Sequence, residues 1–193
     1  GLESSLERLR VIVGDLVDVS LIDSNVLTLS LQPFSLYEVI RLALDDMERD
    51  ALDRHLTLQM QRFPTAVNEM YMDSHRIYQV FSNLIGNACR YTPVASGPIT
   101  VGCWDEATRV IYYVKDHGPG VPHKESERVF DIFYRGEASK ENRGTGVGLA
   151  IVRKIAIRCN GQAWVEQTPG GGATFCVAIP KGPAFGKDVR EKA

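Results

Sequence analysis

The 193-residue sequence is short of cysteine, with four residues at 89, 103, 159 and 176 and none spaced as Cys-x-x-Cys. No histidine stands near them at metal-ligand spacing. This argues against a disulfide framework and a zinc ribbon, and it suits free thiols in a reducing compartment. Long apolar runs are missing too. No stretch reaches the length of a membrane span and no secretory signal opens the chain, so any membrane attachment is expected to come from segments outside this sequence. Excess charge is absent: 22 Lys and Arg oppose 24 Asp and Glu, a net charge of −2. There is therefore no broad basic field of the kind that holds nucleic acid or anionic lipid. Internal repeats are lacking as well. What remains is a soluble globular composition, 44% hydrophobic and 24% charged, long enough to bury a core of its own.

Hydrophobic periodicity sets the elements. Leu2, Leu6, Leu9, Val13 and Leu16 step by four and three, a heptad-like helical seam that Ile12, Val17 and Val19 widen toward a helical bundle, with a peripheral helix packed on its own domain as the alternative. "VLTLSL" (26–31) alternates and reads as a strand ending at Pro33. Ser35 with Glu38 forms a capping box that opens a helix to about Asp50. "LTLQMQ" (56–61) is a second strand. A helix runs from Asp73 or Ser74 to near Tyr91. "ITVGCW" and "RVIYYV" are strands joined by a polar turn, and "QAWVEQ" and "ATFCVAIP" are strands around "TPGGG". An apolar helix covers 147–159. This order predicts an α+β fold: a two-layer sandwich of a mixed five-stranded sheet with about three helices on one face, plus the N-terminal helix.

Three stretches carry candidate chemistry. On the helix over 74–91, Ile77, Val80, Phe81, Leu84, Ile85 and Ala88 form a core face. Arg76, Gln79, Asn83, Asn87 and Arg90 line another face at spacings of three and four. Amide oxygens suit Mg²⁺ and arginine suits phosphate, with a solvated polar face as the alternative. In "VKDHGPGVP" a strand delivers Asp116 to a turn through Gly118 and Gly120; a carboxylate there can accept from an exocyclic amine, although such a sequence also makes an ordinary turn. Residues 121–143 form a long connection carrying Lys124, Arg128, Arg135, Lys140 and Arg143, with Phe130 and Phe133 as its anchors, in the manner of a functional lid, although an ordinary loop of mixed charge reads the same way. It ends at "GTGVGL" (144–149). No lysine follows these glycines and Leu149 stands where a dinucleotide fingerprint needs glycine, so neither familiar phosphate loop applies. Bare backbone N–H groups at a helix start still bind phosphate.

Together these stretches resemble the ATP-binding catalytic domain of bacterial two-component sensor histidine kinases, within the superfamily shared with gyrase, Hsp90 and MutL. "NLIGNACRYTP" is similar to the N box. "DHGPG" is similar to the G1 box, with His117 where Asn or Thr is usual. "FDIF" with Tyr134 and Arg135 is similar to the F box, "GTGVGLAIV" to the G2 box and "GGGATFCVAIP" to the last glycine box. The likeness covers about residues 34–180. The N-terminal stretch resembles the end of the family's second dimerisation helix. The resemblance thus implies a division into 1–24, the end of that helix; 25–33, a linker and first strand; 34–181, the catalytic domain; and 182–193, a polar tail.

The resemblance also implies roles. Asn87 would hold Mg²⁺ and Asn83 would help place it. Arg90 would approach phosphate, Tyr91 would border the nucleotide, and Arg135 is a candidate for the γ-phosphate. Asp116 would bind the adenine amine, with Gly118 and Gly120 shaping that wall and Thr174 backing it through water. Gly144, Thr145, Gly146, Val147, Gly148 and Leu149 would cradle phosphates. Hydrolysing relatives carry a glutamate at the position of Asn83; an amide is no general base, which favours transfer to a neutral imidazole. The family's phosphoacceptor histidine precedes an acidic residue and a proline, a setting that His55, His75, His117 and His123 all lack. The implied activity is protein-histidine kinase, with ATP and Mg²⁺ as cofactors and the acceptor supplied from outside this sequence. The implied partners are a dimerisation and phosphoacceptor domain, a response regulator receiver domain and a second copy in the full-length protein. The implied setting is cytoplasmic, with possible anchoring of the full-length protein in the inner membrane. A regulatory nucleotide-binding module of the same fold is the alternative.

Overall fold

The structure, a computed structural model, describes residues 2–23, 29–64, 67, 69–136 and 144–181. Among these residues four α-helices and seven strands follow in the order α1 (Leu2–Asp23), β1 (Gln32–Ser35), α2 (Leu36–Asp53), β2 (Thr57–Met60), β3 (Glu69–Met72), α3 (Ser74–Tyr91), β4 (Pro98–Asp105), β5 (Arg109–Lys115), α4 (Gly148–Arg158), β6 (Gln162–Gln167) and β7 (Ala173–Pro180), with two short 3-10 turns at His123–Glu125 and Arg128–Phe130. Two helix starts are held as the sequence predicts. The Ser35 hydroxyl accepts from the Glu38 N–H at 3.3 Å, and the Asp73 carboxylate accepts from the Arg76 N–H at 3.2 Å.

The main sheet has five strands in the order β2-β4-β5-β7-β6. The β2–β4 pair is parallel and the other pairs are antiparallel. Helices α2, α3 and α4 cover one face, making the expected mixed two-layer sandwich. The core face predicted for α3 is buried throughout, from Ile77 to Ala88. It meets Val110, Tyr112 and Val114 of β5 and Phe175, Val177 and Ile179 of β7. Strand alternation sends Ile111, Tyr113, Cys176 and Ala178 to the opposite face, where they form a separate small cluster with Trp164.

Two features depart from the sequence reading. The strand expected over 26–31 is absent at 29–31, and 26–28 lie outside the described residues. The chain instead enters strand at Gln32 and carries Pro33 inside it, opposite Tyr71 of β3, in a two-stranded sheet. So small a sheet is all edge, so a proline without an N–H is tolerated there. β3 itself, only four residues long, went unpredicted.

The N-terminal helix divides its faces. Leu6, Leu9, Val13 and Leu16, the predicted seam, are exposed, while buried Val19 and half-buried Ile12, Asp15 and Asp18 lie on another side. α1 packs along α4. The four cysteines are free. Burial pushes the Cys89 and Cys159 thiols up to about 11 and Cys176 up to about 12, so these three are inert packing residues.

Candidate active site

One cleft of about 760 Å³ gathers most of the predicted residues. From α3 come Asn83, Asn87, Arg90 and Tyr91. Asp116, just past β5, and Gly120 line a second wall, and Tyr134 and Arg135 close a third. Gly144, Thr145, Gly146, Gly148 and Leu149 complete it at the start of α4.

The polar stripe on α3 splits into two halves with different work. At its N-terminal end Arg76 Nη1 reaches Asp18 of α1 at 3.3 Å and the Gln79 amide oxygen at 2.8 Å, while Gln79 Nε2 donates to Asp18 at 2.7 Å. Asn83, Asn87 and Arg90, further along, face the cleft. The glycine loop lies directly on them. A Cβ at Gly148 would sit 3.0 Å from the Asn83 amide oxygen, and one at Gly144 would sit 3.1 Å from Arg90 Nη1. The α4 N-terminus has no side-chain cap, which leaves its backbone donors available to an anionic ligand.

Asp116 is 3% exposed. Its Oδ1 accepts from the Gly118 N–H at 2.8 Å and the Ala173 N–H at 2.9 Å. Both bonds fall on one oxygen, so Oδ2 keeps its lone pairs for a donor in the cleft. Burial raises the carboxyl above the usual aspartate range; the two backbone donors and His117 pull the other way but less strongly. The last glycine run sets this geometry. Gly172 has a φ of +106°, and a Cβ there would come within 2.8 Å of the Asp116 carbonyl carbon. Only a residue without a side chain lets β7 approach so closely.

Three predicted residues contribute differently from expectation. Thr174 is not in the cleft: its hydroxyl pairs with that of Thr168 at 3.0 Å and it lines a groove on the opposite sheet face. On an alternating strand the cleft-facing neighbours are Ala173 and Phe175. Val147 is fully buried, so its side chain belongs to the core. Gly118 does not line the cavity and acts through its N–H on Asp116. The lid is anchored by one predicted aromatic, not both. Phe130 is buried edge-on against Phe175 with the Arg153 guanidinium 5.0 Å over its ring, whereas Phe133 is 57% exposed. Lys140 and Arg143 lie outside the described residues.

Sequence reasoning missed α1 at this site. Val11 and Asp15 line the cleft, and the Thr145 hydroxyl donates to Asp15 at 3.4 Å. Burial raises the Asp15 carboxyl, opposed by the Thr145 bond. The signal was present as Asp15 and Asp18 three residues apart, facing a basic and amide stripe on α3.

An asparagine pair, a buried carboxylate on a strand end and an uncapped helix start behind glycines, all on an α+β sandwich, define a nucleotide-binding ATPase-type domain. The comparisons with known proteins give the same class. Residues 72–183 match the family described as histidine kinase-, DNA gyrase B-, and HSP90-like ATPase, and the chain belongs to that family. It is 30% identical over 183 residues to the circadian input-output histidine kinase CikA of Synechococcus elongatus, covering 93% of this chain and 24% of that protein. Full-length ShkA in complex with AMPPNP superposes with a TM-score of 0.80 at 26% identity, over 95% of this chain and 37% of that one. Histidine kinase ThkA in complex with the response regulator protein TrrA gives a TM-score of 0.71 at 26% identity, over 94% of this chain and 49% of that one. The chain is thus an ATP-binding catalytic domain of the histidine kinase family, and it spans about a quarter of CikA's length. Among the described residues no helix is long and apolar enough to cross a membrane.

Proposed function

We propose that this chain is the catalytic part of a sensor histidine kinase, moving the γ-phosphoryl group of ATP to a histidine supplied from outside this sequence. The observation that carries the reading is the convergence of Asn83, Asn87 and Arg90, the Asp116 carboxylate and the uncapped start of α4 on one cleft. In this reading Asp116 Oδ2 accepts from the adenine amine, with Gly120 in the wall beside it and the Gly118 N–H holding Oδ1. Tyr91 borders the nucleotide. The backbone over Gly144–Gly148, with Leu149 behind it, cradles phosphates, and Arg90 and Arg135 meet phosphate charge.

Asn87 would hold Mg²⁺ and Asn83 would help place it. The residues fit that ion, which takes few protein ligands and shares substrate phosphates; among the described residues no cluster of three His, Cys, Asp or Glu side chains offers an all-protein cage. Bound there, the ion would neutralise phosphate charge. Asn83 cannot take a proton from water, so the site favours a nucleophile that needs no strong base. A neutral imidazole nitrogen qualifies: its N–P bond forms, the bond to the β–γ bridging oxygen breaks, and ADP leaves.

In the same reading residues 1–24 are the end of a second dimerisation helix, 25–33 link it to the catalytic domain over 34–181, and 182–193 form a tail. The partners are a dimerisation and phosphoacceptor domain, a second copy, and the receiver domain of a response regulator; ThkA was solved with a response regulator protein, TrrA. The setting is cytoplasmic, with any membrane anchor in other segments.

The test mixes this chain, ATP and Mg²⁺ with the dimerisation domain of the same protein and follows acid-labile, base-stable phosphate. Transfer in trans is expected. Nucleotide binding without transfer to a competent acceptor would instead make the chain a regulatory nucleotide-binding module. A second expectation concerns pH. The Asp116 carboxyl titrates above the ordinary value of 3.8, and only its ionised form is a full acceptor. ATP affinity should therefore fall on acidification at a higher pH than an exposed aspartate would dictate. Calorimetric titrations across mildly acidic pH would show this, and a flat profile down to pH about 4 would contradict it.

A further inference from the structure

The sheet face turned away from the helices carries a second hollow, of about 520 Å³, within the size range of small-molecule sites. Its wall is built. Gly102 leaves a gap on β4, and the Tyr113 ring lies across it, where a Cβ at position 102 would meet the ring within 2.8 Å. Covering a sheet glycine with an aromatic is ordinary packing. The next layer goes further. The Trp104 indole stacks on Tyr113 at 4.4 Å and 25° and remains 44% exposed, so the platform's outer ring is offered to solvent.

Polar groups surround the platform. The Tyr113 hydroxyl donates to the Gln61 amide oxygen at 2.6 Å, which orients the Gln61 NH₂. Gln59 Nε2 donates to Thr100 at 2.9 Å. Lys115 lines the same hollow and makes no ion pair among the described residues. The hollow also holds one carboxylate, Glu166, which accepts from the Trp164 indole N–H at 2.6 Å; the aromatic shelf, the oriented amide and the Lys115 ammonium suit a flat ring that turns a negative charge toward Lys115.

We propose that this hollow is a second ligand site, on the far face of the sheet from the ATP cleft, that takes a planar heteroaromatic acid. The ring stacks against Trp104, the anionic group meets Lys115, and Gln61 supplies a hydrogen bond to a ring heteroatom. Binding here does not depend on the nucleotide assignment. The two sites nonetheless share a wall one strand thick: Asp116 lines the cleft between Lys115 and His117, which line the hollow, and Ala173 lines the cleft beside Thr174, which lines the hollow.

The test titrates nicotinate and its uncharged counterpart nicotinamide without nucleotide on Trp164→Phe, which leaves Trp104 as the only indole, and on Trp164→Phe with Glu166→Gln, because Trp164 also holds the Glu166 carboxylate of the hollow; the same preference is expected in both. Saturable quenching of Trp104 by nicotinate is expected, with nicotinamide binding about threefold more weakly, the size of one exposed charge contact. Lys115→Gln should erase that preference. Asp116→Asn, which acts in the other cleft, should leave nicotinate binding unchanged, so failure of the nucleotide assignment and failure of this one read out separately. Linear, unsaturable quenching, or equal affinity for the two probes, would overturn the proposal. If Trp164→Phe does not fold, saturation-transfer NMR on the unsubstituted chain compares the two probes directly, with the same preference expected and equal affinity again overturning the site.

Discussion

Asp116→Asn is expected to weaken ATP binding by about 100-fold, from the loss of a charged acceptor in a buried site, while leaving the melting temperature unchanged or higher. The two effects have one cause. Burial raises the Asp116 carboxyl, so the fold prefers its protonated form. The stability it contributes is fully present below the ordinary carboxylate range and is lost as pH rises through the raised value. At neutral pH the ionised group is a cost that the amide removes. An asparagine can still accept from Gly118 and Ala173 through its oxygen, but it turns an NH₂ toward the place where Oδ2 would accept the adenine amine. Asp116→Ala should lose nucleotide as well, yet lower stability, because the Gly118 and Ala173 N–H groups lose their acceptor. Calorimetry and thermal melts on both variants separate the terms. Unchanged ATP affinity in both would sink the assignment of Asp116.

Gly172→Ala should cost about 3 kcal/mol or more and lose ATP binding together with stability, because strain and collision act at one point. The residue sits at φ +106°, and the new Cβ would press on the Asp116 carbonyl carbon and on His117 Cα at 2.9 Å. Relief requires β7 to retreat from Asp116, and that retreat breaks the Ala173 bond that aims the carboxylate. Gly171→Ala is the control. Its φ is +109°, but nothing lies within 4 Å of a Cβ there. It should cost about 1–2 kcal/mol of backbone strain and keep ATP affinity. Equal loss of affinity in both variants would mean that the turn matters as a whole and not the single approach at Gly172.

The sequence announced these positions unevenly. Helix α3 was legible in full because its apolar period and its polar stripe obey the same 3.6-residue geometry, and Asp73 caps it locally. The five-stranded sheet was legible from alternation and turn glycines. What escaped depended on contacts distant in sequence. β3 exists by pairing with β1, and neither four-residue strand carries enough pattern alone. Thr174 was placed in the cleft by likeness of motif, but strand parity, fixed by Asp116 against Ala173, puts it on the other face. Phe133 read as a lid anchor because it is apolar; its exposed ring at a φ of +62° shows that the turn, not the core, claims it. Asp15 was hidden because a helix with a strong apolar seam draws attention to that seam and away from its acidic edge.

That divided helix has a geometric consequence. At about 100° per residue, the edge holding Ile12, Asp15, Asp18 and Val19 lies about 130° around the circumference from the line through Leu6, Leu9, Val13 and Leu16. A neighbouring helix seated on the apolar line would approach on a different bearing from the nucleotide entrance and leave it open. In the proposed dimer, ATP affinity should then not vary with protein concentration.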